Sequence, residues 1–329
     1  MDRRLAILAV LAATSLVPAC RSTDPHASDG RRIFRVGYMP NVTHAPALWG
    51  LESGAFAAAL GPSVELQTRA FNAGPSVVEA LFSGDLDVGW VGPNPAINGF
   101  QRSHGKALRI VAFSVANGAQ LVVRPEVRSA ADLAHRKVAT PALGNTQDVA
   151  LRTWLAQKGI AADVLPVANP ESVLLFGRGE IAGAWVPEPW ASRLVLEHRG
   201  VVLVDERTLW PARMFPTAVL VASTAAIAKR WDLVQRIVDA NGDAVRALAD
   251  PAARGTVARR LARELGKPLA EAVLSRAFEG LAFSTDPLDA ELRKAAADAQ
   301  RLGFLETADV EGIFDPRFSR AQAAMGGAR

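Results

Sequence analysis

Short apolar runs alternate along this chain with longer stretches in which apolar positions recur every three or four residues, the pattern of strands followed by helices. IFRVGYM reads as a strand ending at Pro40 and Asn41, and HAPALWGLESGAFAAAL as one helix. VELQTRAF is a strand of uncertain register. NAGPSVVEALFSG is a helix with Asn72 as N-cap and Pro75 near the first turn, where a missing N–H costs nothing. DLDVGWV is a strand, PAINGFQRSHG a helix, and ALRIVAFSVANG and AQLVVRP are strands flanking Asn117-Gly118. The cycle then restarts. SAADLAHRK is a short helix, KVATPAL a strand, and GNTQDVALRTWLAQKGI a helix capped by Asn145 or Thr146. ADVLPVA, PESVLLFGRG, IAGAWV and PEPWASRLVLEHRG follow as strand, helix, strand and helix, and VVLVDE and AVLVAS as strands. From Thr224 the pattern is helical, in three long segments.

The two cycles echo each other. Residues 82–95 read FSGDLDVGWVGPNP and residues 176–189 read FGRGEIAGAWVPEP. RVGYMPNVTHAPAL aligns with KVATPALGNTQDVAL, and FNAGPSVVEALFSGDLDVGWV with VANPESVLLFGRGEIAGAWV. Two half-molecules therefore share one β-α-β-α-β plan, and 329 residues suffice to give each a core of its own.

The first residues follow a different rule. MDRR followed by the apolar run LAILAVLAATSLVPA is a signal peptide, residues 1–19, and Leu16-Val17-Pro18-Ala19-Cys20 resembles a bacterial lipobox, with Cys20 as the lipidated residue. Residues 20–32 are a polar linker. The expected product is exported, in the periplasm or at the cell surface, and tethered to the membrane through Cys20. Because Cys20 is the sole cysteine, the fold holds no disulfide, metal–thiolate site or cysteine nucleophile. Loss of residues 1–19 removes Arg3, Arg4 and Asp2, so the formal charge falls from +4 to +3, too small an excess for a nucleic-acid partner.

In open α/β units, ligands bind beyond the carboxyl ends of the strands. There helix N-termini offer free N–H groups and a partial positive charge to an anion. The turns at that end carry Asn41 and His44; Asn72, Gly74 and Ser76; Gly92 and Asn94; Gly144, Asn145, Thr146 and Gln147; and Glu188 with Trp190. Helix capping alone explains such a composition at any one turn, but five turns in two matched halves can converge on one cleft. Trp90, Trp185 and Trp190 are candidate walls or core residues. Glu188 can meet a ligand ammonium or hydroxyl, or bridge to the opposite half. His44 is a neutral donor or a structural cap, and Arg213 is a cation near a hinge or an exposed side chain. Asp85 and Asp87 read as turn and surface residues. GxSxG, HExxH, P-loop and GxGxxG motifs are absent, and the five histidines lack metal-ligand spacing. We therefore expect no cofactor, no metal and no catalytic residues.

VGYMPNVTHAPALWGLESGAF, FNAGPSVVEALFSGDLDVGWVGPNPAING, TPALGNTQDVALRTWL and AWVPEPWASRLVLE followed by VDERTLWP resemble the substrate-binding proteins of ABC importers for aliphatic sulfonates, taurine and nitrate, over about residues 33–290. The resemblance implies a periplasmic-binding-protein fold of the second type: two lobes, each a mixed sheet flanked by helices, with a ligand cleft between them. Residues 33–117 and 219–329 would form lobe one and 118–218 lobe two. A small oxyanion-bearing ligand would be held by backbone N–H groups and by Asn41, Gly74, Ser76, Gly92, Asn94, Thr140, Asn145, Thr146 and Gln147, with Trp185 and Glu188 from lobe two. The implied partners are that ligand and an ABC permease with its ATPase, and the implied state is a monomer that binds without reaction. Binders of nitrate, bicarbonate or a pyrimidine precursor, and an enzyme on the same fold, are the alternatives.

Overall fold

The computed structural model describes residues 27–318; residues 1–19 and Cys20, read above as leader and lipidation site, lie outside that range. Along the chain come β1 (Arg32–Tyr38), α1 (Ala45–Glu52), α2 (Ala55–Leu60), β2 (Val64–Ala70), α3 (Gly74–Ser83), β3 (Val88–Val91), α4 (Pro93–Arg102) and β4 (Leu108–Asn117). The second cycle is β5 (Ala119–Val123), β6 (Lys137–Thr140), α5 (Thr146–Lys158), β7 (Asp163–Pro166), α6 (Asn169–Arg178), β8 (Gly183–Pro187), α7 (Trp190–His198) and β9 (Val201–Asp205). The chain closes with β10 (Pro216–Ser223), α8 (Thr224–Lys229), α9 (Trp231–Ala247), α10 (Pro251–Leu265), α11 (Glu271–Glu279), β11 (Leu281–Phe283) and α12 (Asp289–Arg301).

Two sheets result. One has the order β11-β4-β10-β3-β1-β2, the other β7-β6-β8-β5-β9. Read from opposite ends, β4-β10-β3-β1-β2 superposes in order on β9-β5-β8-β6-β7. In each sheet the central strand pairs in parallel with the start of its own cycle: β3 with β1, and β8 with β6. It pairs antiparallel with a strand supplied after a crossover: β3 with β10, and β8 with β5. The echo in the sequence is thus an echo in topology, with Asn117-Gly118 as one crossover and residues 206–215 as the other. Gly118 holds φ of 80° and Asn117 φ of 67°, which lets β4 run into β5 across a two-residue reversal.

Alternation along buried strands decides which way each tryptophan faces. Trp90 enters the core that α1, α2 and α9 close over the first sheet, while its neighbour Val91 enters the core shared with the second sheet. A further core beneath α6 and α7 covers the other face of the second sheet.

Five expectations need correction. The helix expected over residues 44–60 is two, because Gly54 takes φ of 78° and resets the axis. The segment expected as one helix from Thr224 breaks at Arg230, whose guanidinium is drawn into a buried ion pair with Asp87 (2.9 Å) and bonds the Ile33 carbonyl. Asp87 is accordingly a core residue, not a surface one; it also accepts the Arg35 backbone N–H at 2.8 Å. Finally, the C-terminal region is not helical throughout: residues 266–288 contain α11 and the edge strand β11, and SAADLAHRK forms only a 3-10 turn over Ala130–Leu133.

Candidate functional site

A small cavity lies between the sheets, where β1, β3, β6 and β8 end and β10 begins. About 30 Å³ of it is open to the centre of a water molecule, and a single water needs roughly 10–15 Å³ on that measure. The occupant it fits is therefore compact. From the first sheet it is lined by Met39, Asn41, Thr43 and His44, by Asn72 to Gly74, by Gly92 and Pro95, and by Thr217. From the second it is lined by Pro141, Asn145, Thr146 and Gln147, by Asn169, and by Pro187. The N-termini of α3, α5 and α6 meet here, and first-turn N–H groups have no acceptor within their own helix. Asp, Glu, Lys and Arg are all missing from this lining. Any attraction for an anion therefore comes from helix dipoles and neutral donors.

Several side chains are fixed by their neighbours. Asn145 Oδ1 accepts the Asp148 N–H at 2.9 Å and so caps α5. Asp148 is itself saturated, by Thr140 Oγ1 at 2.8 Å, the Gly144 N–H at 2.9 Å and Arg152 Nε at 2.9 Å. Asn41 Oδ1 accepts from Trp190 Nε1 at 2.7 Å, a bond between the two sheet units that leaves the Asn41 amide NH2 as its remaining function. Burial drives the His44 pKa down to about 3, so the ring is neutral. Its Nδ1 accepts the Met39 N–H at 3.5 Å, which puts the ring proton on Nε2 as a donor. Thr146 Oγ1 is buried without a hydrogen-bond partner. A Cβ built on Gly92 would fall 2.3 Å from that same oxygen, so only glycine lets the α4 turn approach α5 across the cleft.

Of the residues singled out by sequence, Asn41, His44, Asn72, Gly74, Gly92, Asn145, Thr146 and Gln147 line the cavity together. The others stand elsewhere. Ser76 is exposed on α3, one residue past the turn. Asn94 Nδ2 donates to the Ala295 carbonyl of α12 at 3.3 Å. Thr140 and Gly144 serve Asp148, as above. Trp90 Nε1 bonds Ser114 and Asn241 in the core, at 3.1 and 2.9 Å. Trp185 Nε1 donates at 2.7 Å to Glu206, whose burial raises its pKa to about 7. Glu188 is the bridge between halves: Oε1 meets Arg276 of α11 at 3.1 Å, and Oε2 accepts the Ser192 N–H at 3.0 Å. Trp190 is fully buried, the core alternative of its reading, because its ring packs in the core beneath α6 and α7 while its N–H reaches Asn41. Arg213 is exposed, in the left-handed region at φ 53°, outside the cavity lining.

Sequence reasoning passed over Thr43, Thr217, Asn169 and Arg276. Asn169 is 3% exposed, begins α6, and has an Oδ1 without a partner. The echo itself points to it: Ala168-Asn169-Pro170 aligns with Ala73-Gly74-Pro75, a turn already selected. Arg276 left no such signal, since its position follows from α11 packing on α7 across the halves.

Residues 29–262 match the NMT1-like family. The chain is 29% identical over 215 residues to a chain named as a binding protein from Brucella abortus, covering 62% of this chain and 63% of that one. Over 164 residues it is 29% identical to the taurine-binding periplasmic protein of Escherichia coli, covering 49% of each. It thus spans less than two thirds of the length of these curated relatives. The periplasmic nitrate-binding protein NrtA from Synechocystis has a similar structure, with a TM-score of 0.75 at 16% identity, covering 89% of this chain and 88% of that one. The fold matches that of periplasmic binding proteins, and with the family match covering most of its length the chain belongs to the NMT1-like family.

Proposed function

We propose that this protein is the extracytoplasmic binding component of an ABC importer, and that it carries a small oxyanion-bearing ligand, an aliphatic sulfonate of the taurine or alkanesulfonate kind, to a permease and its ATPase. Residues 33–117 with the segment from β10 onward act as one lobe and 118–215 as the other, turning about the two crossovers; the boundary expected at 218/219 moves to 215/216 because Pro216–Ser223 is one strand of the first sheet. The observation that carries this reading is the convergence of donors from both sheets on a cavity lined by no charged side chain. Asn41, His44 and the α3 turn come from one side, Thr146, Gln147 and the α6 N-terminus from the other. Bonds from such donors to an ionised acceptor are roughly twice as strong as neutral ones. They form together only when the lobes are closed, so the ligand shifts the population toward the closed form. Kinship with a taurine-binding protein supports the sulfonate reading; nitrate and bicarbonate are the next candidates, and a pyrimidine precursor is bulky for so small a cavity. Export through residues 1–19 and tethering at Cys20 complete the proposal.

Binding without reaction is the reading the lining favours. Its titratable side chain, His44, is held neutral by burial, and Glu188 is turned to Arg276. The test is a thermal-shift screen with taurine, alkanesulfonates, nitrate and bicarbonate. A ligand at a hundred times its Kd adds about 2.7 kcal/mol of stability. Thr146→Val should abolish that gain without altering the unliganded midpoint, whereas Asn145 is unsuitable as a probe because it caps α5. A screen in which no anion stabilises the protein would refute the reading.

A further inference from the structure

We infer that Asn169 selects the ligand, and that the ligand is a monoanion bearing a neutral hydrogen-bond donor, such as a hydroxyl, in preference to a zwitterion bearing an ammonium; the inference rests on the oxyanion site proposed above. Two observations at the cavity meet in it.

The first is an orphaned acceptor. Asn169 lines the cavity, and its Oδ1 is buried without a hydrogen-bond partner. A buried acceptor left unmade costs free energy that a ligand O–H or N–H would recover. An oxyanion without a donor leaves that cost in place. Thr146 Oγ1, the other unpartnered oxygen on the lining, belongs to a hydroxyl that can donate, so it suits the oxyanion itself.

The second is the charge of the walls. Ammonium groups enter closed sites when a carboxylate compensates their lost hydration. Here no carboxylate lines the cavity. The buried carboxylates on neighbouring segments are already committed: both oxygens of Asp148 are bonded, one of them to Arg152, and Glu188 is held by Arg276 and the Ser192 N–H. An ammonium in this cavity would meet neutral amide and hydroxyl oxygens and no counter-charge.

Matched probes separate the two parts. Isethionate, ethanesulfonate and taurine share a two-carbon sulfonate and differ in ending with hydroxyl, hydrogen or ammonium. Bicarbonate and nitrate are compact monoanions with and without an O–H. Calorimetric titration at pH 8 should rank isethionate at least tenfold tighter than both ethanesulfonate and taurine, and bicarbonate above nitrate. Asn169→Asp, at the first turn of α6 where a carboxylate is favoured, should reverse the order so that taurine exceeds isethionate, even if the new buried charge lowers the unliganded melting midpoint. Taurine binding as tightly as isethionate to the unaltered protein would overturn the charge argument. Equal affinities for isethionate and ethanesulfonate, or an order untouched by Asn169→Asp, would overturn the role of Asn169. If the sulfonates all fail but bicarbonate still exceeds nitrate, the sulfonate reading falls and the inference stands. If none of the five binds, both fall.

Discussion

The two proline-flanked turns, Gly92-Pro93-Asn94-Pro95 and Pro187-Glu188-Pro189-Trp190, occupy the same place in two sheets of the same order and do different work. In the first, Gly92 and Pro95 line the cavity. In the second only Pro187 does, and Glu188 and Trp190 fasten the halves together through Arg276 and Asn41. Both polar residues set between prolines turn away from the cavity to the C-terminal helices: Asn94 to α12, Glu188 to α11. The lesson is that matched backbone does not assign matched roles. Where a helix from elsewhere in the chain presents a partner, a polar turn residue becomes an anchor. Where none does, as at Thr146 and Asn169, it stays available to a ligand.

The contrast can be broken most forcefully at Glu188. Glu188→Ala leaves Arg276, which is 25% exposed, without its charge partner. Removing one member of a buried ion pair costs about 3 kcal/mol, while Asn94→Ala, which removes one hydrogen bond, should cost about 1 kcal/mol. Urea unfolding of the two variants tests this, and equal losses would erase the distinction between the turns.

Gly92→Ala should act on binding more than on stability. The new methyl meets Thr146 Oγ1 across the cleft, so ligand affinity should drop more than tenfold by calorimetry, while the unliganded midpoint hardly moves. Trp190→Phe is milder. It keeps the packed ring but frees the Asn41 amide to turn its oxygen toward the anion, and affinity should fall severalfold. An unaltered affinity would mean that Asn41 does not depend on the second turn for its orientation.

The smallest effect is one of pH. Burial raises the Glu188 pKa above 4.5, outweighing the opposing pull of Ser192 and Arg276. Its contribution to stability is therefore full below pH 4.5 and is lost as pH rises through the higher, folded-state value. Glu206 acts in the same sense up to about pH 7. His44 acts oppositely: its stabilisation is present above pH 6.5 and is lost as pH falls toward 3. In Glu188→Gln the decline above pH 4.5 should be shallower than in the unaltered protein, and Asn94→Ala should leave the slope as it was.

Much of the fold was legible because its signals are local. Apolar spacing located most strands and helices, and Asn145 and the prolines marked helix starts, whereas α3 is capped at Ala73 without a side-chain bond and not, as expected, by Asn72. The paired echo anticipated two sheets of one plan. What escaped is set by distant contacts. Arg230 ends α8 because Asp87 lies across the sheet from it, and α11 takes its meaning from α7. The site divided along the same line. Turn composition found Thr146 and Gly92, although their meeting across the cleft is itself a distant contact. It missed Asn169 and left Glu188, Trp190 and Arg213 open between ligand and structural roles, because which polar atoms stay unpartnered depends on the whole assembly of helices.

A crystal structure with the tightest-binding sulfonate tests the central claim most directly. We expect sulfonate oxygens within hydrogen-bond reach of Thr146 on one sheet unit and of Asn41 or the Gly74 turn on the other, in the same molecule. A ligand held by one half alone, or seated in the neighbouring groove between Leu143 and Phe304, would contradict it.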